Sequence, residues 1–192
     1  TGLGSLAQVS DFHLGIGGAE SNVAVALARL GASVTWLGRV GADGLGDRIV
    51  RELRGEGIDV RAIRDEQAPT GMMIKEQRTS TATRVLYYRS GSAGSRIDPA
   101  DVLQADISSA ALLHFSGITP ALSASAADAI EAAVDEAVSA HVPVSFDVNH
   151  RASLWGDRDP APVYRSLAAR ATIVFAGDDE ARILIPDAAT PE

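Results

Sequence analysis

Apolar positions recur at helical spacing in three stretches, and each stretch is followed by a short run that reads as a strand. Val23, Leu27 and Leu30 repeat in this way just after Asn22, Gly31 supplies a stop, and Val34-Thr35-Trp36-Leu37 forms the next buried run. Leu45, Ile49, Val50 and Leu53 mark a second helix over 45–56, with an extended segment over 58–63. A short apolar strand at 112–115 precedes a helix over 123–140, which carries Ala127, Ile130, Val134 and Val138 on one side. Strands at 142–146 and 173–175 continue the rhythm. Such alternation predicts an α/β fold, a parallel sheet flanked by helices on both faces, with functional loops at the carboxyl ends of the strands.

One region departs from this order. Residues 70–77 (TGMMIKEQ) and 83–89 (TRVLYYR), separated by the polar 78–81, predict an antiparallel hairpin, and residues 5–16 are expected to add extended segments beside it. A small sheet set into an α/β body suits a lid over a ligand site, with segments at about 5–17 and 70–90. An edge extension or a dimer interface explains the same pattern equally well.

Composition narrows the function. The 192 residues are 46% hydrophobic and 22% charged, enough for a globular domain with a sizeable core. A net charge of -8 opposes binding to nucleic acid, which requires concentrated Lys and Arg. Cysteine is absent, so disulfides and thiolate metal sites are excluded. No apolar run reaches the roughly 20 residues of a membrane span, and the start lacks a signal-type segment, so no membrane association and a cytoplasmic location are expected. The chain starts at Thr1 rather than Met, and one or both ends are expected to be missing.

The glycines of GIGGAESNVAVALARLG (15–31) stand at the mouth of a helix. Gly17 and Gly18 allow a tight turn and close approach of a ligand, and the helix N-terminus favours oxygen-rich partners. The dinucleotide fingerprint does not fit, because Glu20 stands where its third small residue is required, and no Walker A sequence is present. None of His13, His114, His141 and His150 shows metal-ligand spacing.

Taken together, Asn22-x-Ala24, Gly31 and the run Gly41-Ala42-Asp43-Gly44-Leu45-Gly46 resemble the N-terminal signature of the ribokinase-like, or PfkB, family of sugar kinases. Thr70-Gly71, Ser116-Gly117-Ile118 and FDVNHRASLW (146–155) agree with that family in order. Within it, YYR (87–89), HFSGITPAL (114–122) and DVNHRASLW (147–155) look most like 2-keto-3-deoxygluconate kinases. The resemblance implies a truncated ribokinase-like domain over 1–192 with a small β lid. It also implies ATP and Mg²⁺ as cofactors, a small sugar acid as the partner molecule, and a homo-oligomer meeting through the lid.

It further implies roles for individual residues. Gly17, Gly18 and Asn22 would meet sugar hydroxyls, and Ile118 would line the sugar pocket. Tyr87 and Arg89 would reach down from the lid, Arg89 pairing with the substrate carboxylate. Arg151 would act catalytically between sugar and phosphates. These residue types suit the chemistry, since a planar guanidinium offers paired donors to carboxylate or phosphate. Read without the resemblance, Arg89 is a strand-end surface charge and Arg151 a loop residue paired with Asp147 or Asp157. Asp147 and Asn149 would order the loop that carries Arg151.

Departures are equally specific. The family's Gly-Ala-Gly-Asp segment, which supplies the anion hole and the catalytic base, is absent from the chain. FAGDDEA (175–181) lies instead where the family's Asn-x-x-Glu motif belongs, so Glu180 matches the Mg²⁺-organising Glu while Gly177 replaces the Asn. As a bare sequence feature, Glu180 is also a helix-start acid favoured by the dipole. Met73 stands where these acid-sugar kinases often carry Tyr. The expectation is an N-terminal portion that lacks a first strand and its nucleotide half, and that is inactive alone. The alternatives are a fructokinase or ribokinase specificity, or a non-catalytic sugar-acid-binding protein.

Overall fold

The computed structural model describes residues 6–8, 10–77 and 83–186. Its first unit is α1 (Ala19–Arg29), β1 (Thr35–Gly41), α2 (Gly44–Gly55) and β2 (Asp59–Asp65), with β1 and β2 parallel and Thr35 opposite Asp59. The chain leaves α1 through Gly31 at φ 88°, where Ala32 N donates to Leu27 O at 3.0 Å. The buried stripe of α1 is turned from the expected one. Ala24 is its buried residue and Leu30 is 83% exposed, because a small side chain lets the helix lie close to its neighbours. Strand β1 runs past Leu37 because the charge that interrupts its apolar pattern is neutralised inside the fold. Arg39 donates from Nε to Asp65 Oδ2 at 3.1 Å and from Nη1 to Asp101 Oδ2 at 2.9 Å.

The hairpin is present as β3 (Met72–Gln77) and β4 (Thr83–Tyr88), antiparallel, with Met72 opposite Tyr88 and Gln77 opposite Thr83. The tip over 78–82 lies outside the described residues, as do 5 and 9 of the segment expected beside the ribbon. The remainder of that segment forms no strand: residues 6–8 are a turn and 10–18 carry no ladder. Its apolar residues find no sheet to join, and Phe12 is 64% exposed. One contact does tie it to the ribbon, Leu6 N donating to Glu76 Oε1 at 2.8 Å.

The feet of the hairpin are fastened. Asp43 caps α2, accepting from Gly46 N at 2.8 Å, and its carboxylate also takes Thr70 N and Thr70 Oγ1, each at 2.8 Å. Thr70 Oγ1 accepts in turn from Gly41 N at 2.9 Å. Across the other foot, Ala93 N donates to Pro69 O at 2.8 Å, and Arg96 reaches Asp65 Oδ1 at 3.4 Å and Gln67 Oε1 at 3.2 Å.

These carboxylates are acidic. Burial raises Asp43, but the hydrogen bonds from Thr70 and Gly46 outweigh it and hold the group below its ordinary value. Asp65 is lowered by the Gln67 N–H against the cost of burial, with Arg96 and Arg39 adding to the effect. Their contribution to stability is complete above the unfolded value of about 3.9 and is lost as pH falls through the lower folded values. Denaturant titrations of Asp43→Asn and Asp65→Asn against wild type should therefore show each variant losing less stability than wild type as pH falls below about 4.

The second unit contains α3 (Pro99–Val102), β5 (Leu113–Ser116), α4 (Thr119–Leu122), α5 (Ala124–Ser139), β6 (Val144–Asp147), α6 (Ala152–Trp155), α7 (Ala161–Arg170), β7 (Ile173–Phe175) and α8 (Asp178–Leu184). Strands β5, β6 and β7 are parallel, in that order. The sequence implies one parallel sheet, but among the described residues the parallel strands form two groups, because no strand lies between β1 and β5. Each group has its own core. Val40, Val50, Leu53, Ile58 and Val60 fill the first, and Val134, Val144, Phe146, Tyr164 and Leu167 the second.

Helix α5 buries Ala126, Ala129, Ala133, Val134 and Ala137, and turns Val138 49% to solvent. Of the expected stripe Val134 is buried and Ile130 packs against the core, but most of the contact face is a row of alanines. Helix α7 escapes the periodicity because only Tyr164 and Leu167 are buried on it. No helix among the described residues is long and apolar enough to cross a membrane.

Candidate functional site

The carboxyl ends of β5 and β6 and the N-terminus of α1 meet in one place. Gly18 precedes α1 with φ 156° and ψ 144°, a conformation open essentially to glycine alone, and no side chain caps the helix. The first-turn amides of α1 therefore keep their capacity to donate. Glu20, in that first turn, reaches across to the end of β5. Its Oε1 accepts from Ser116 Oγ at 2.6 Å, Ser116 N at 3.1 Å and Thr119 Oγ1 at 3.1 Å. Ser116 is fully buried, so this is a desolvated and well-satisfied contact.

The ribbon crosses the glycine turn. A Cβ at Gly17 would lie 2.9 Å from Met73 Cε, so Met73 rests directly on that turn. Met73 is the cross-strand partner of Tyr87. Just beyond the end of β4, the Arg89 guanidinium carbon stacks 4.2 Å from the centroid of the Tyr87 ring. Arg89 Nε and Nη2 are buried and have no hydrogen-bond partner among the described residues. Burial pushes the Arg89 guanidinium below its ordinary value; Tyr87 opposes that shift, and the positive charge of Arg151 adds to it. Arg151 is thus near enough for its charge to bear on Arg89, and among the described residues neither cation is paired with a carboxylate.

Arg151 is exposed, and its Nη1 donates to His150 O at 2.8 Å. Among the described residues no carboxylate pairs with it, so the pairing with Asp147 or Asp157 is not formed. The loop that carries it is held by other contacts. Asn149 sits at φ 38°, with its N–H near enough to the Asp147 carboxylate to stabilise its charge. His150 N donates to Glu180 Oε1 at 2.7 Å, while Gly177 N donates to Glu180 Oε2 at 2.9 Å. Glu180 thus uses both oxygens on backbone amides and anchors the Arg151 loop to α8. Behind the loop, Tyr164 Oη accepts from Trp155 Nε1 at 2.8 Å and lies 3.2 Å from His150 Nδ1. Gly117 admits this packing, since a Cβ there would strike Val148 O and come within 2.9 Å of Tyr164 Cε1.

Asp147, half-buried at the end of β6, is pushed up by burial and then by Glu180, with His114 and the Asn149 N–H pulling it down and Glu20 adding a smaller upward push. His114 Nδ1 lies 3.0 Å from Ser145 Oγ. Among the described residues no group of three or more His, Asp or Glu side chains could hold a metal ion.

The structure thus brings Gly17, Tyr87 and Arg89 together through Met73, and sets Arg151 within electrostatic reach of Arg89. Ile118 lies half-buried just past Ser116, at the start of α4. Asn22 is placed differently. Two residues beyond Glu20, it turns to the opposite side of α1 and lines a groove of about 600 Å³ with Ser21, Val25, Arg29 and Glu52. Sequence reasoning misses the bridge made by Glu20 and the support given by Tyr164, because their partners lie 96 and 47 residues away.

Comparison with known proteins places this geometry. The pfkB family carbohydrate kinase pattern matches residues 3–192. A 2-dehydro-3-deoxygluconokinase of Bacillus subtilis is 40% identical over 98% of this chain and 59% of its own length. One from Thermoproteus tenax is 41% identical over 80% of this chain and 47% of its own. The chain therefore spans about half to three-fifths of these curated relatives. Among solved structures, a PfkB protein of Polaromonas sp. JS666 superposes with a TM-score of 0.90 at 36% identity, over 96% of this chain and 63% of the other. A sugar kinase of Pyrococcus horikoshii in complex with ATP gives 0.82 at 26% identity, over 90% of this chain and 57% of the other. Pattern, relatives and superposition agree: the chain belongs to the PfkB family of carbohydrate kinases.

Proposed function

We propose that the protein containing this chain transfers the γ-phosphoryl group of ATP to a hydroxyl of an acidic keto-sugar, 2-keto-3-deoxygluconate being the favoured substrate. The observation that carries this reading is the pair of buried, unpartnered nitrogens on Arg89 beside the positive charge of Arg151. A buried donor without a partner costs about 1–3 kcal/mol, more when charged. A carboxylate-bearing guest would remove that cost and balance the charge with a forked pair of bonds, whereas the hydroxyls of a neutral sugar could accept the bonds but would leave the charge unbalanced. The names of the most similar relatives support the same substrate class.

In this reading the amides at Gly17–Gly18 and the Gly117–Ile118 loop receive the sugar, and Arg89 holds its carboxylate by a forked pair of hydrogen bonds. Arg151 turns from His150 O toward the phosphates and offsets their charge as the sugar oxygen bonds to the γ-phosphorus and the bond to ADP breaks. ATP supplies the transferable group. With Glu180 committed to backbone amides, Mg²⁺ would be held by phosphates and water, and Glu180 would act on it only at a distance. The proton of the attacking hydroxyl needs a base that this chain does not carry in a Gly-Ala-Gly-Asp segment, so the 192 residues alone are expected to be inactive.

The test is ADP release by the full-length protein with 2-keto-3-deoxygluconate, fructose and ribose in parallel. A kcat/KM at least about tenfold higher for the acid, the factor expected of one charge-assisted contact, supports the reading. Equal or better use of a neutral sugar overturns it.

A further inference from the structure

Glu20 has no role in the sequence pattern beyond that of an acid at a helix start, which needs only the helix dipole. The structure gives it something more specific. A single oxygen, Oε1, takes donors from Ser116 N, Ser116 Oγ and Thr119 Oγ1. Among the described residues no backbone ladder joins β1 to β5, so α1 is held to the end of β5 by this carboxylate and by packing alone. Glu20 stands two residues after Gly18, and Ser116 directly precedes Gly117.

We infer that Glu20 is a positioning residue: by fastening Ser116 and Thr119 to the first turn of α1, it sets the separation between the Gly17–Gly18 amides and the Gly117–Ile118 loop. These are the two walls that receive the sugar, so the inference rests on the sugar-kinase reading and adds to it what fixes the width of the cleft. Glu20 is taken to act through Ser116 and Thr119, the residues its Oε1 is bonded to, and not by holding the sugar itself. Its loss acts on sugar affinity through the geometry of the walls, because donors that no longer converge on one guest lose the benefit of preorganisation for binding. Because one oxygen accepts all the bonds, an amide oxygen in the same place can replace it, and the negative charge is dispensable.

The full-length protein carries the test. Glu20→Ala should raise the KM for sugar about tenfold or more, with the KM for ATP and kcat at saturating sugar within about threefold of wild type. Glu20→Gln should return the sugar KM to within about threefold of wild type, and Thr119→Val, which removes one of the bonds, should have an effect between the two. An unchanged sugar KM in Glu20→Ala, or equal damage in Glu20→Gln and Glu20→Ala, overturns the inference. Should Glu20→Ala fail to fold, Glu20→Gln and Thr119→Val decide it.

Should the wild type phosphorylate no sugar, the functional reading falls by itself and hydrogen exchange judges the strut. Exchange must then quicken together at Ser116, whose N–H is bonded to Glu20, and at Asn22, whose N–H makes the first bond of α1 to Gly18 O, in Thr119→Val and Glu20→Ala, and stay near wild type in Glu20→Gln. Unchanged protection at either end refutes it.

Discussion

In the Arg89→Ala variant of the full-length protein, the KM for a carboxylate-bearing keto-sugar is expected to rise about 100-fold, with a change of less than about threefold for a neutral ketose. A factor of 100 corresponds to about 2.7 kcal/mol, within the range for removing one partner of a desolvated charge pair. The asymmetry between the sugars is the informative part. Alanine removes two buried nitrogens that have no protein partner, so nothing in the fold is orphaned by the change. A structural role for Arg89 would instead lower affinity for every sugar alike. Arg89→Lys should recover only part of the loss, because an ammonium cannot present a fork or stack on the Tyr87 ring as a guanidinium does. Steady-state kinetics with the acid and the neutral sugar side by side checks each statement.

Arg151→Ala is expected to act on the other parameter, lowering kcat about 100-fold to 1,000-fold while leaving sugar affinity, read by calorimetry, within about threefold of wild type. Arg151 is exposed, its Nη1 is bonded to the carbonyl of its own neighbour, and no carboxylate among the described residues holds it in place. The side chain is therefore free to follow charge that develops in the transition state. For the same reason the variant should unfold within about 0.5 kcal/mol of wild type, as surface substitutions without a special partner do. A loss of stability together with activity would place Arg151 among the loop's supports, where Glu180 and Asn149 already stand.

Those supports show what a sequence can and cannot announce. Strand β7 was legible to the residue, because Ile173-Val174-Phe175 is a bounded apolar run, and the ribbon was legible because its flanking strands are separated by a polar turn. Helix α7 was not, since two buried residues make no visible period. The extended segment expected before Gly17 failed because alternation describes a strand only where another strand is there to pair with it. Arg89 and Arg151 were located by family resemblance rather than by spacing. The pairing of Glu20 with Ser116 and Thr119 is invisible to any local rule, and so is the turn of Asn22 away from β5, which follows from the helical period only once Glu20 is known to face that strand.

The fastened feet of the ribbon decide where it can bend. Thr70 is bound to Asp43 on one side, while Ala93 and Arg96 are tied to Pro69, Asp65 and Gln67 on the other. The strands above are stiffened by their own ladder, so a swing must be absorbed in the short neck between, where Gly71 lies opposite Arg89 and Gly91 adopts φ 68°. Arg89 therefore lies in that neck, at the foot of the ribbon and not on its paired strands. An anion grasped there would bear on the neck itself, so that one small charge would weigh on the angle at which the whole ribbon stands.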